Sequence, residues 1–361
     1  MSTEKERLRL LLYCPALSDG GAERVWALLA GALAARGHAV TLAVDGGAEN
    51  GPVVPSGVRF VVLGGGHVAN VRALRRLLRE LRPEAAISAI AASPLKLHLA
   101  ARGMDIPLIH AFHGFEEWRT GRLSRLTWRL LPHLARRAAA IVAVSEALRA
   151  ALVREWGAPE AKTFRIHNPV ALPEPLPDAS DLAGRAPHVL AMGRLSGEKG
   201  FGLLLKAFAM MKTREARLTI LGDGPLRAHL RELAENLSIA ERVAFAGWQA
   251  DVWPWLKRAK VFALASRTES FSVAVVEALA AGLPVVSTDT PGPREILKGD
   301  ERLGRLVPVT DAAALAKALE AALDTPGDPA PRQQRALDFS APRGTEEWER
   351  LIRRVVVGKG G

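Results

Sequence analysis

The sequence predicts an α/β chain of two domains, each built around a parallel sheet. Three observations carry this. Short apolar runs alternate with segments of helical period along the whole chain, the pattern of parallel strands joined by crossover helices. The alternation pauses at residues 169–187, PVALPEPLPDASDLAGRAP, where prolines prevent continuous helix or central strand, and then restarts. The 361 residues, 48% of them hydrophobic, suffice for two cores of ordinary size.

In order, Leu8–Cys14 reads as a first strand ending in a polar glycine loop, followed by a helix over Glu23–Arg36. Ala39–Val44, Ile87–Ala91, Leu108–Phe112 and Ile141–Val144 are apolar runs of strand length. Helices are expected at Val71–Leu81, Leu123–Ala139 and Glu146–Trp156. After the proline-rich stretch come strands at Val189–Met192, Arg217–Leu221, Val243–Ala246, Val261–Ala265 and Pro284–Ser287. The matching helices are Gly202–Met211, Pro225–Leu237, Val252–Arg258, Val273–Ala281 and Ala312–Leu323. The implied division is a domain over 1–170, a linker over 171–187, a second domain over 188–340, and a terminal helix within 341–361 packing back on the first domain. Two such domains form a cleft where the carboxyl edges of their sheets meet, the place ligands take in open parallel sheets.

Composition narrows the class. The single cysteine, Cys14, excludes an internal disulfide or a cysteine metal cluster and suits a reducing cytosol. The N-terminus mixes acids with bases and does not read as a signal peptide, and no segment approaches the roughly 18 apolar residues of a membrane span. The net charge of +11 is uneven: residues 1–170 hold 23 Lys/Arg against 14 Asp/Glu, the remainder 26 against 24. The first half is therefore expected to face something anionic.

The most informative stretch is 266–295, SRTESFSVAVVEALAAGLPVVSTDTPGPRE. Glu269 and Glu277 flank seven residues, the first in a loop and the second on the helix behind it. Ser270 to Val273 place backbone N–H groups at that helix start, where a diphosphate or hydroxyl-rich ligand is well held. Beyond Pro284 a strand and a Gly/Pro loop ending at Glu295 are expected. Gly193-Arg194-Leu195-Ser196-Gly197-Glu198-Lys199-Gly200 follows a strand, and its Arg194 and Lys199 suit a diphosphate, one as a fork and one as a point charge. Gly20 and Gly21 open the first helix, where a ligand phosphate or a plain strand-to-helix turn fits equally. Gly222-Asp223-Gly224-Pro225 reads as a tight turn or a further site loop. His113 ends an apolar strand and suits donation to a substrate oxygen, with His110 and His167 as competitors. There is no Asp-x-Asp pair, Walker A loop, Gly-x-Ser-x-Gly elbow or Gly-x-Gly-x-x-Gly fingerprint.

GGAERV at 20–25, VSEALR at 144–149, HNPV at 167–170, GRLSGEKGF at 193–201, LGDGPLR at 221–227 and the paired glutamates with EALAAGLPVVS resemble, in order and register, the retaining glycosyltransferases of family 4. The resemblance implies a GT-B fold, two Rossmann-like doubly wound domains facing across a cleft. It also implies a nucleotide-diphosphate sugar donor, expected to be a UDP-sugar. Glu277 then binds the ribose and Glu269 the sugar, with the N–H groups of Phe271, Ser272 and Val273. Gly193, Arg194 and Lys199 take the leaving diphosphate without a metal or other cofactor, Gly20 and Gly21 approach the phosphates, and His113 stands near the transferred bond. PGPREIL at 291–297 is most similar to members that build bacterial surface polysaccharides on lipid carriers. The family's Glu-Gly-Phe-Gly reads Glu269-Ser270-Phe271-Ser272 here, which leaves the donor sugar open, and Pro291-Gly292-Pro293 replaces a common Gly-Gly.

The positive charge gathers on Arg72, Arg75, Arg76 and Arg79, and on Arg119, Arg122, Arg125, Arg129, Arg136 and Arg137 interleaved with Trp118 and Trp128. Such a mix is expected where a protein rests on anionic lipid, although a plain solvated face explains the first stripe equally well. The expectation is a cytoplasmic enzyme, peripheral on the inner membrane, taking a lipid-linked or glycan acceptor and no nucleic acid. The alternatives are a sugar-nucleotide epimerase of the same fold and a non-catalytic basic module for nucleic acid or membrane.

Overall fold

The computed structural model describes residues 7–17, 21–46 and 54–358; Gly20 and the side chain of Trp118 lie outside the described residues. The chain divides into two compact units, Met1–Ala171 with Ala341–Gly361, and Leu172–Ser340.

The first unit carries seven strands: β1 (Arg9–Cys14), β2 (Ala39–Val44), β3 (Val58–Val62), β4 (Ala85–Ala89), β5 (Leu108–Phe112), β6 (Ala140–Ala143) and β7 (Thr163–Arg165). They lie in the order β3-β2-β1-β4-β5-β6-β7, all parallel. The helices are α1 (Gly21–Ala35), α2 (His67–Leu81), α3 (Ser93–Ala100), α4 (Arg122–Arg129), α5 (Leu131–Arg137) and α6 (Glu146–Arg154). In the second unit β8 (His188–Met192), β9 (Arg217–Leu221), β10 (Val243–Gly247), β11 (Val261–Leu264), β12 (Val285–Thr288) and β13 (Gly304–Val307) lie in the order β10-β9-β8-β11-β12-β13, again all parallel. Its helices are α7 (Phe201–Met210), α8 (Arg227–Asn236), α9 (Trp253–Arg258), α10 (Val273–Ala280), α11 (Pro291–Leu297), α12 (Ala312–Asp324) and α13 (Ala330–Leu337). The last helix, α14 (Ala341–Val357), belongs to the first unit and packs on α1.

Both sheets reverse their strand order beside the first strand, between β1 and β4 and between β8 and β11, so each has the topological switch point where doubly wound folds place ligands. Helices cover both faces of the first sheet, with α1 and α14 on one core and α2 and α3 on the other. The leucine stripe of α2 is inward, with Leu74, Leu77 and Leu78 buried.

Several elements differ from the sequence expectation, each for a local reason. The helix expected over 123–139 breaks at Leu130 into α4 and α5, because Pro132 removes a donor and clashes with the preceding turn. The strand expected over 87–91 ends at Ala89, since Ile90 and Ala91 turn left-handed at φ 70° and 51°. The Gly/Pro loop expected before Glu295 is the helix α11; its prolines occupy the first turn, where a missing N–H leaves no bond unmade. β3, β7 and β13 are short or half-exposed strands that each carry an arginine, and α3, α11 and α13 carry proline in their first turns, so neither group announces itself by period.

Candidate functional site

In the second unit the loops leaving β8 and β11 meet at the switch point. Lys199 Nζ lies 2.6 Å from Glu269 Oε2, and Ser266 Oγ donates to the same oxygen at 3.2 Å. The two loops are also tied through their backbones, the Arg267 N–H donating to the Glu198 carbonyl at 2.7 Å. Their approach is so close that a Cβ on Gly200, at φ +65°, would sit 1.9 Å from the Ala265 carbonyl oxygen. The Gly193–Gly200 loop is walled on its other side by the turn after β9. There Gly222, at φ +120°, would place a Cβ 2.1 Å from the Gly193 carbonyl oxygen, and the Leu195 N–H donates to the Asp223 carbonyl at 2.9 Å. The Gly222-Asp223-Gly224 motif is thus more than a tight turn: it is the backbone surface against which the Arg194–Lys199 loop is laid. Arg227, one turn on, pairs with Asp223 at 2.9 Å. Arg194 itself is exposed.

The α10 start is built by Ser272, the helix N-cap, whose Oγ accepts the Val275 N–H at 3.3 Å. That cap leaves the Ser272, Val273 and Ala274 N–H groups without intrahelical acceptors. Ser270, Phe271 and Ser272 are all buried. Phe271 meets Phe339 edge-on at 5.5 Å, and the Gly292 N–H, at the start of α11, donates to the Glu269 carbonyl at 2.8 Å. Glu277, on α10, is 9% exposed. The serine at 272 therefore spends its hydroxyl on the helix backbone.

In the first unit His113 leaves the carboxyl end of β5. Its Nε2 accepts from the indole N–H of Trp26 at 3.2 Å, and its backbone N–H donates to Glu117 Oε1 at 2.7 Å. The other oxygen of Glu117 accepts the Ala91 N–H at 3.1 Å, and the Gly114 N–H also serves this carboxyl. Glu117 thus clamps the His113 loop to the left-handed turn at Ile90-Ala91. Burial raises its pKa to about 7 against the pull of these N–H groups, while desolvation pushes the His113 imidazole down to about 4, with the Asn168 side chain acting the other way. Of the rival histidines, His110 is fully buried on β5, its Nδ1 2.7 Å from Ser88 Oγ, and burial lowers its pKa to about 3. His167 is engaged by Arg165 at 2.7 Å. Gly21 opens α1 at the surface, and Gly20 beside it lies outside the described residues. Among the described residues no group of three His, Cys, Asp or Glu side chains gathers as for a metal ion.

Within the second unit the structure brings Gly193, Lys199 and Glu269 together beside the α10 start that carries Phe271, Ser272, Val273 and Glu277. Glu117 and Trp26 were not singled out in the sequence. Glu117 stands four residues after His113 in a Glu-Glu pair, which is a weak signal, and Trp26 is 87 residues from its partner, which is none.

The group 1 glycosyl transferase family profile matches residues 174–337, and that of Glycosyltransferase Family 4 matches residues 19–173. This chain belongs to glycosyltransferase family 4. The family 4 chain is 39% identical over 140 residues to the lipopolysaccharide core biosynthesis glycosyltransferase LpsE of Rhizobium meliloti, a match covering 39% of this chain and 40% of that protein. It is 33% identical over 144 residues to a Campylobacter jejuni enzyme named N-acetylgalactosamine-N,N'-diacetylbacillosaminyl-diphospho-undecaprenol 4-alpha-N-acetylgalactosaminyltransferase, covering 40% of this chain and 39% of that one. The matches thus span about two fifths of the length of these curated relatives. In solved structures the fold recurs in sucrose-phosphate synthase from Thermosynechococcus elongatus, with TM-score 0.83 and 21% identity over 98% of this chain and 100% of the other. It recurs also in Anabaena HepE in complex with UDP and glucose, with TM-score 0.81 and 18% identity over 96% and 100%. The family 4 chain thus has the two-sheet α/β architecture of GT-B glycosyltransferases.

Proposed function

We propose that this chain moves a sugar from a nucleotide-diphosphate donor, expected to be a UDP-sugar, to a lipid-linked or polysaccharide acceptor in cell-surface glycan assembly, with retention of anomeric configuration. The observation that carries the reading is the Lys199–Glu269 pair at the switch point of the second sheet, with Arg194 exposed in the same loop. A nucleotide-diphosphate sugar offers phosphate to the cation and hydroxyls to the carboxylate, so both groups keep a partner when the donor enters. The names of the Rhizobium and Campylobacter relatives, and the UDP and glucose of the HepE complex, support the same substrate class.

In this mechanism Glu277 holds the ribose hydroxyls and Glu269 the sugar, helped by the N–H groups of Phe271, Ser272 and Val273. The acceptor oxygen attacks the anomeric carbon as its bond to the diphosphate breaks, and the acceptor proton passes to the departing phosphate oxygen. Arg194 and Lys199 stabilise the charge that develops there, which assigns to side chains the work a metal does elsewhere. His113 takes the role at the transferred bond that the family resemblance implies for it. Nucleotide release measured across a panel of nucleotide sugars, with EDTA present and with and without a polyprenyl-diphosphate-sugar acceptor, tests this. Acceptor-dependent release is expected; release or sugar interconversion without any acceptor turns the reading to an epimerase, and absence of donor binding sinks it.

The acceptor reading includes docking on an anionic bilayer at the cytoplasmic face. Among the described residues no helix is long and apolar enough to cross a membrane. α4 exposes Arg122, Arg125, Leu126 at 44% and Arg129, and Leu130 just beyond it is 37% exposed, a basic and apolar face suited to a lipid surface. Two features expected to serve this role do not. Trp128 is buried edge-on between Phe112 and Trp156, and Arg75 is a strut donating to the Ala100 and Arg102 carbonyls. Co-sedimentation with anionic vesicles at low salt is expected, and is expected to be lost on Arg122→Glu with Arg125→Glu. A chain that stays in the supernatant rules docking out.

A further inference from the structure

We propose that Trp26 is a positioning residue that fixes the tautomer of His113, and that the C-terminal helix α14 holds Trp26 in place through Trp348. The consequence for catalysis rests on the reading of His113 given above.

An indole N–H is a donor only, and a neutral imidazole has one donor and one acceptor nitrogen. With Trp26 Nε1 donating to His113 Nε2 at 3.2 Å, the ring proton belongs on Nδ1. The imidazole is neutral near physiological pH, because desolvation holds its pKa far below that range. In water the opposite tautomer, with the proton on Nε2, predominates for a histidine side chain. The contact therefore sets a state that the free side chain disfavours, and decides which edge of the ring donates.

The contact is not easily exchanged. Trp26 is 1% exposed, and a buried indole N–H deprived of its acceptor loses a hydrogen bond that no water replaces. The rings of Trp26 and His113 stand edge-on at 5.9 Å and 67°. On its other side Trp26 meets Trp348, 3% exposed, edge-on at 5.7 Å and 62°. Trp348 is carried by α14, whose Leu351 and Ile352 are buried in the same core. That helix is pinned to the end of α1 by Glu349, which accepts from Arg36 at 2.7 Å and is braced within α14 by Arg353 at 2.9 Å. His113 is thus held at its backbone by Glu117, a neighbour in sequence, and at its ring by an aromatic path from the last helix of the chain.

The test reads the tautomer directly. The full chain, labelled with ¹⁵N-histidine, is examined near pH 7.5, with the His113 signals assigned by their loss in His113→Gln. The Nδ1–H pattern is expected in the unaltered chain; an Nε2–H pattern overturns the proposal without any variant. Trp26→Phe keeps a ring and removes the N–H. In it His113 is expected to move towards the Nε2–H form, with kcat down about tenfold and donor KM within about twofold. Trp348→Leu leaves Trp26 intact and is expected to shift His113 in the same direction by less, so the idea is tested even if Trp26→Phe does not fold. An unchanged tautomer in both variants overturns the proposal, as does a changed tautomer with unchanged kcat. If the unaltered chain transfers no sugar, the functional reading fails, while the ¹⁵N pattern still decides whether Trp26 fixes the ring.

Discussion

The two units solve the same problem, holding a loop at the carboxyl edge of a parallel sheet, by different means. In the second unit the loop after β8 is held by backbone against backbone. Gly200 lies on Ala265 and Gly222 on Gly193, at separations no Cβ permits, and one ion pair closes the arrangement. In the first unit the loop after β5 is held by side chains from afar: Trp26 from α1, itself backed by Trp348 from α14, with Glu117 gathering the N–H groups of His113, Gly114 and Ala91. The first device gives a rigid cradle with little tolerance. The second lets the fold set the chemistry of a ring through packing.

The contrast breaks most sharply at Gly222. Gly222→Ala places a methyl group 2.1 Å from a carbonyl oxygen at a left-handed φ, and is expected to cost about 3 kcal/mol or more in urea unfolding. Nucleotide binding is expected to vanish with it; a variant that unfolds at the parent midpoint and still binds UDP removes the case for a backbone-built cradle.

Lys199→Ala comes next. It takes away the partner of Glu269, and nucleotide release is expected to fall about a hundredfold or more while the fold is retained. Steady-state release that drops by less than about threefold assigns the pair to structure alone.

A dependence on pH sets the first unit apart. His110 is kept neutral in the fold, so below about pH 6.5 the unfolded chain takes up a proton the folded chain refuses. Stability then falls with pH by up to about 1.4 kcal/mol per unit, levelling off near the folded value of about 3. Glu117 has the opposite sign. Its raised pKa favours the folded state below about 4.5, and that contribution is lost as pH rises through about 7. His110→Gln is expected to flatten the acid limb of urea midpoints measured from pH 6.5 to 4, and Glu117→Gln the slope between 4.5 and 7. Midpoints of either variant that parallel the parent across its range mean that its group does not titrate as the packing requires.

What the sequence made legible follows the same division. Central strands such as Leu108–Phe112 and Arg217–Leu221 match their apolar runs to the residue, because a strand buried on both faces admits little else. The edge strands β3 and β13 did not announce themselves, since a half-covered edge tolerates arginine and glycine. Gly193, Lys199, Glu269 and the α10 start were readable because backbone approach needs glycine and a helix start needs a cap, demands written in adjacent residues. Trp128 misled, for tryptophan beside arginine reads as surface until its neighbours Phe112 and Trp156 close over it.

By itself the sequence determined the α/β class, the central strands, and the loops whose conformation only particular residues permit, because these depend on a few neighbours along the chain. Only the tertiary structure decided that Lys199 meets Glu269 across 70 residues, that Trp26 donates to His113 across 87, and that Trp348 lies against Trp26. Such contacts depend on how helices and loops settle on a sheet, and a side chain's partner there is fixed by packing rather than by spacing.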